Sequence, residues 1–191
     1  MQESDLRNTD AFTGLEAAIV LIAFVVVAAV FSYVILGAGY YATQKSQETV
    51  YKSVEQATSN IQVTGQVYGI ASASSNAIDT IQFTISLAPG APPMDMTHLS
   101  VLFSSSSVAP VTYTYGGATA TTGEFSSVNA KTGAEATALT SGDQVMITLL
   151  LEEASRLSAG QHFNLEVRPA LGSSFTITRD VGAMVFNTNI M

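Results

Sequence analysis

Cysteine is absent from the 191 residues, and so is tryptophan. Without a thiol the chain has no disulfide, no thiolate metal centre and no cysteine nucleophile. The same absence leaves the redox compartment open, because a thiol-free chain suits either side of a membrane. Bases are scarce: seven Lys and Arg stand against fifteen Asp and Glu, for a net charge of -8. Nucleic acid is therefore not an expected partner, since a phosphate backbone calls for a basic face. No Asn is followed two positions later by Ser or Thr. The chain thus has no acceptor for N-linked sugar, and the Ser/Thr-rich stretch 104–127 is the place for any O-linked one. No segment repeats at a fixed period.

What the chain does have is one long apolar run near its start. From Thr13 to Gly39 the only charge is Glu16, and between Ala17 and Leu36 the only polar groups are Ser32 and the Tyr33 hydroxyl. Three readings compete. A secretory signal has a basic start and an apolar stretch of roughly 7–15 residues before a small-residue cleavage site. Here Glu3, Asp5 and Asp10 outnumber Arg7, and the apolar stretch is longer, although Gly37-Ala38-Gly39 would serve as a cleavage site. A membrane anchor fits the length, because about 20 helical residues cross ~30 Å of hydrocarbon. The third reading rests on the flanks, where Gly14 stands directly before an apolar helix that opens with the acidic Glu16.

The run continues as helix. Gly37 and Gly39 weaken it by roughly 1 kcal/mol each relative to Ala, but Val50, Val54, Ala57 and Ile61 then recur three and four apart, which is one apolar stripe on a wetter helix. The periodicity predicts a single helix over 15–60. After Asn60 the period becomes two. "IQVTGQVYGI", "DTIQFTISL", "THLSVLF", "VTYTY", "QVMITLLLE", "FNLEVRP", "SFTITR" and "GAMVFNT" read as strands between Gly, Pro, Ser and Asn breaks. "LAPGAPP" at 87–93 is a firm break. Residues 114–142 are small, polar and poor in apolar side chains, and read as an exposed excursion with a short strand around Phe125. The expected class is α+β: a long N-terminal hydrophobic helix, then an antiparallel β-sandwich or barrel of immunoglobulin-like type over 61–191.

No catalytic constellation assembles. His98 and His162 lie far apart in strand-like stretches. Glu152 and Glu153, being adjacent, face opposite sides of a strand. Ser104–Ser107 has no base nearby in sequence to activate a hydroxyl. "TYGGAT" lacks the strand-to-helix context of a phosphate cradle. The chain is not expected to be an enzyme or to hold a cofactor. Asp79 and Asp95 flank the 87–93 loop and are weak candidates for a structural metal ion such as Ca²⁺; turn capping is the competing use of an Asp.

"FTG|LEAAIVLIAFVVVAAVF" resembles the processing site of the type IV pilin superfamily, where a prepilin-type peptidase cuts before a retained apolar helix. Glu16 would be the second mature residue rather than the fifth, which favours the archaellins, the subunits of the archaeal motility filament. "GYYATQKSQETVYKSVEQATSNIQVTGQVYG" and "SSNAIDTIQFTISLAPGAPPMDMTHLSVLF" are similar to the archaellin helix end and outer-domain strands. The resemblance implies a leader 1–14 cut between Gly14 and Leu15, a helix 15–60 that is first a membrane anchor and then the filament core, and an outer β domain 61–191. It implies a homopolymer, with paralogous subunits as further partners, outside the cell. Ala28 and Ser32, four apart, with Ala29 beside them, are the small side chains that would let such helices approach closely. The alternatives are an adhesive type IV-like pilin, a single-pass surface protein whose β domain binds a ligand, and a secreted hydrolase with a cleaved signal.

Overall fold

The computed structural model describes residues 3–72 and 76–191, with side chains from Thr13 onward. One α-helix, α1, runs Glu3–Thr58 without a break. It starts twelve residues before the expected Leu15, since the sequence up to Gly14 carries no apolar stripe to reveal it. Gly14, Gly37 and Gly39 are all absorbed within it, because one Gly costs only about 1 kcal/mol and the first Pro is Pro89. Helix end and β unit are joined locally. The Ser59 amide and hydroxyl both donate to the Glu55 carbonyl, at 2.9 and 2.6 Å. Asn60 closes the helix by donating to Thr58 through its amide at 2.8 Å, while its own carbonyl accepts from the Ala88 amide. The chain falls into two compact units, the first ending at Tyr51 and the second comprising Lys52–Met191.

Among the described residues the second unit carries twelve strands: β1 Ile61–Val63, β2 Tyr68–Ala71, β3 Ile78–Leu87, β4 Met94–Asp95, β5 Ser100–Ser105 and β6 Val108–Tyr115, then β7 Glu124–Asn129, β8 Ala138–Leu139, β9 Gln144–Leu150, β10 His162–Arg168, β11 Phe175–Asp180 and β12 Thr188–Ile190. Ten of them form one sheet in the order β11-β10-β5-β6-β7-β9-β3-β2-β12, with β1 also paired to β3, while β4 and β8 make a separate ribbon. Neighbours in the large sheet are antiparallel except β6 and β7, which pair in parallel at Thr114–Glu124 and Tyr115–Phe125.

The α+β class is as expected, and the β part is a curled, mostly antiparallel ten-stranded sheet together with the β4–β8 ribbon. Strands alternate buried and half-buried residues, as in β3, where Ile81, Phe83 and Ile85 point inward. Strands far apart in the sheet order contribute to one core: Phe103 and Phe163 of the neighbouring strands β5 and β10, stacked with centroids 6.4 Å apart, belong to the same cluster as Ile147 and Leu149 of the distant β9. A flat sheet would leave that face in water. Each buried Phe, Ile or Leu contributes about 1.5–3 kcal/mol, so the sheet curls around them.

Two readings are corrected. Within 114–142 the expected short strand around Phe125 is β7, but it is not part of an exposed excursion: it lies inside the sheet between β6 and β9, with Phe125, Ser126 and Ser127 buried. "GAMVFNT" is not a strand; pairing resumes only at Thr188.

Candidate assembly surface

The feature with no use inside the chain is the first half of α1. Every side chain from Thr13 to Leu36 is exposed, including Phe24 at 74%, Phe31 at 64% and Leu36 at 72%. The apolar residues lie on all sides of the helix, which is long and apolar enough to cross a membrane. Nine of its residues are Val or Ile between Ile19 and Ile35, and β-branched side chains lose rotamer freedom against the preceding turn. In water such a helix gains little from propensity and exposes a large apolar surface. Lipid or other apolar helices are the surroundings in which it is stable.

Along this surface the sequence-predicted residues take definite places. Gly14 and Leu15 lie within α1, and a Cβ built on Gly14 would meet nothing within 4 Å. The fold itself therefore has no need of glycine there. The first two residues of the expected leader lie outside the described residues. Ala28, Ala29 and Ser32 are exposed on adjacent turns of the helix. Gly37 and Gly39 also have open space around them. The Thr43 hydroxyl donates to the Gly39 carbonyl at 2.9 Å, so the helix carries through this glycine pair. Polarity then increases, with an exposed Lys45–Glu48 ion pair at 2.7 Å that contributes a few tenths of a kcal/mol at most.

The residues weighed for chemistry do not come together. The Asp79 carboxylate accepts from the Thr80 hydroxyl at 3.0 Å. Asp95 caps the short 3₁₀ turn Met96–His98: its Oδ1 accepts from the Thr97 amide at 2.8 Å and from the Thr97 hydroxyl at 2.7 Å, and its Oδ2 faces His98 Nδ1 at 3.1 Å. The Thr97 hydroxyl first, then the Thr97 amide, hold its pKa below the ordinary carboxylate value. Among the described residues no three His, Asp or Glu side chains cluster as metal ligands would. His162 pairs instead with Asp180, its directly opposite neighbour across β10 and β11. Glu153 reaches Arg156 at 3.5 Å, and the Ser105 hydroxyl donates to the His162 carbonyl.

Sequence reasoning missed two features of the β unit. Asn60 Oδ1 accepts from the Ser173 hydroxyl at 2.7 Å, tying the helix end to a loop 113 residues away. Met184, Phe186 and Ile190 are 69%, 63% and 68% exposed, where a strand reading of 182–188 would bury every second residue. Neither feature has a local sequence signal.

Comparison with known proteins adds an independent line. Residues 11–179 match the family model for archaeal-type flagellin. A probable flagellin 1 of Archaeoglobus fulgidus is 56% identical over 91 residues, covering 48% of this chain and 45% of that protein, so the match spans about half the relative's length. A probable flagellin 1 of Aeropyrum pernix is 32% identical over 194 residues, covering 93% of this chain and 95% of that one. Among solved structures, the archaeal flagellum of Methanospirillum hungatei strain JF1 is 37% identical with a TM-score of 0.74, over 93% of this chain and 98% of that one.

Proposed function

The chain belongs to the archaeal-type flagellins, structural subunits of the archaellum filament, and from that premise we propose that it polymerises through the apolar half of α1. A precursor is held in the membrane by this helix. A prepilin-type peptidase cuts between Gly14 and Leu15. The freed subunit leaves the lipid and packs its helix among copies of itself and paralogous subunits, while the β domain from Ile61 on forms the outer sheath of an extracellular filament. Torque from a separate rotary motor is passed along this polymer. Motility is favoured over adhesion because the solved assembly with 37% identity is itself a flagellum.

The observation that carries the reading is the wholly exposed apolar surface of Leu15–Leu36 on an unbroken helix. Purified surface filaments should contain this chain as a 177-residue protein starting at Leu15. Gly14→Val should leave an uncut precursor in the membrane; since nothing in the chain crowds Gly14, that failure would report the peptidase rather than the fold. Assembled material that begins at Met1 or Ala38 would overturn the reading.

A further inference from the structure

We propose that the C-terminal segment Met184–Ile190 is a second subunit–subunit contact, made between the β unit and a second copy of this chain; the inference rests on the filament reading above. Met184, Phe186 and Ile190 are each about two-thirds exposed within seven residues. Ile190 stands opposite Tyr68 in the β12–β2 pair, and Tyr68 is itself 40% exposed. The segment is not a loose tail. Asn189, only 7% exposed, accepts from the Phe186 amide at 2.8 Å and donates to the Phe186 carbonyl at 2.6 Å and to the Gly69 carbonyl at 3.2 Å. The Met191 amide donates to the Val67 carbonyl, and the Met191 side chain fills the space where a Cβ on Gly69 would be. A buried amide therefore holds the backbone of an exposed aromatic residue in one place. An anchor fixed in advance loses little conformational freedom on binding, and aromatic anchors dominate protein interfaces.

Charge points to a second copy as the occupant. Subunits that start at Leu15 still carry a net charge of -6, once the net -2 of residues 1–14 is taken from -8, and repel one another, yet Val181–Met191 holds no charged side chain, so the side chains of two acidic copies can meet here without a like-charge penalty. The lack of Lys and Arg also removes the attraction an anionic membrane surface would supply. Area agrees with a contact that acts only inside a polymer. Three side chains exposed to this degree present roughly 400 Å² of apolar surface, about half the ~800 Å² per partner of a stable two-body interface. The patch is too small to dimerise a free β unit and large enough to add to helix packing. β12 is three residues long and ends the sheet. So short an edge does not template strand addition, and the contact is made by side chains.

The cysteine-free chain offers a direct test. Phe186→Cys and Met184→Cys leave the Asn189 clamp intact, because it grips backbone atoms. Each is reacted with a maleimide in purified filaments and in subunits dissociated from them by detergent. Labelling at least tenfold slower in filaments is expected, and equal rates overturn the proposal while leaving the filament reading intact. Protection that vanishes in filaments reassembled from purified subunits alone would assign the patch to another protein. In parallel, filaments of the double variant Met184→Ser, Phe186→Ser should form and dissociate at a lower temperature than wild type; equal heat stability overturns the proposal. Cells that make no filaments of this chain would overturn both readings together.

Discussion

A Cβ built on Gly172 would lie 1.7 Å from the carbonyl oxygen of Ser59. The loop therefore meets the helix end backbone to backbone, at a residue with φ of +99°. Gly172→Ala suffers twice, from a conformation that L residues avoid and from a clash with backbone that cannot rotate away. A loss of about 3 kcal/mol or more is expected from these two causes. Gly142 has a similar φ of +90° but nothing within 4 Å. Gly142→Ala should lose only about 1 kcal/mol. Chemical denaturation of a 52–191 fragment compares the two, and equal losses would show that the Gly172–Ser59 approach is not a constraint.

The same junction sets where the β unit can be cut. The change of period places its start at Ile61. Yet Ser59 is buried, and Asn60 is bonded to both Ala88 and Ser173. Each such hydrogen bond contributes a net ~0.5–1.5 kcal/mol. A fragment 52–191 should fold cooperatively as a soluble monomer, and a fragment 61–191 should be less stable by about 2 kcal/mol. Coincident unfolding midpoints would restore the boundary at Ile61.

β7 is stabilised by a hydroxyl where the other inner strands use hydrocarbon. The buried Ser127 Oγ donates to the Ala136 carbonyl at 2.6 Å. Ser127→Ala leaves that carbonyl without its side-chain donor and should lose about 1 kcal/mol. Ser127→Val, similar in bulk to its sheet neighbours but unable to donate, should lose more than Ala. A Val variant as stable as wild type would mean the position is merely a space to fill.

Asp95 ties one stability term to acid. Hydrogen bonds from Thr97 lower its pKa in the folded chain. A depressed folded pKa stabilises above the unfolded value, and the contribution disappears as pH falls through the folded one. The wild type should therefore exceed Asp95→Ala in melting temperature at neutral pH. The gap should close as the pH falls below the ordinary carboxylate value of 3.8. A gap that persists unchanged in acid would show that the carboxylate charge plays no part in the turn.

These cases show what was legible. Ile81, Phe83 and Ile85 announce β3 because their alternation is itself the record of one buried face. The apolar surface of α1 was equally readable, since a helix apolar on every side needs no tertiary information to be interpreted. A strand around Phe125 was readable, but its place inside the sheet was not, because Ser126 and Ser127 are buried polar residues and the Ser127 hydroxyl finds its acceptor, the Ala136 carbonyl, outside the strand. The Asn189 clamp hid because its third bond reaches Gly69, 120 residues away. The helix start at Glu3 hid for want of an apolar stripe, a signal that the polar stretch before Gly14 does not provide.

Helix packing in a filament is decided relative to the surroundings the helix leaves. Burying about 15 aliphatic or aromatic side chains of α1 would contribute roughly 20–45 kcal/mol relative to water, well above an association cost of order 4–15 kcal/mol. But on the proposed reading the helix comes from lipid, which is as apolar as leucine, so most of that gain would be present before assembly begins. Close approach of backbones then makes the difference. Ala28 and Ser32 lie four apart on α1 with Ala29 beside them, all exposed and with no role inside the chain. Ala28→Leu or Ser32→Leu should leave insertion and cutting at Gly14 intact but reduce filament yield. Ala28→Asp should impair insertion itself, because a charge at mid-helix costs ~2.5–3.5 kcal/mol on insertion scales. Membrane fractionation and filament yield from the same cells separate the two classes. Leu variants that build filaments in normal amounts would show that this small-residue face does not set the packing. Assembly would then rest on the larger apolar side chains around it.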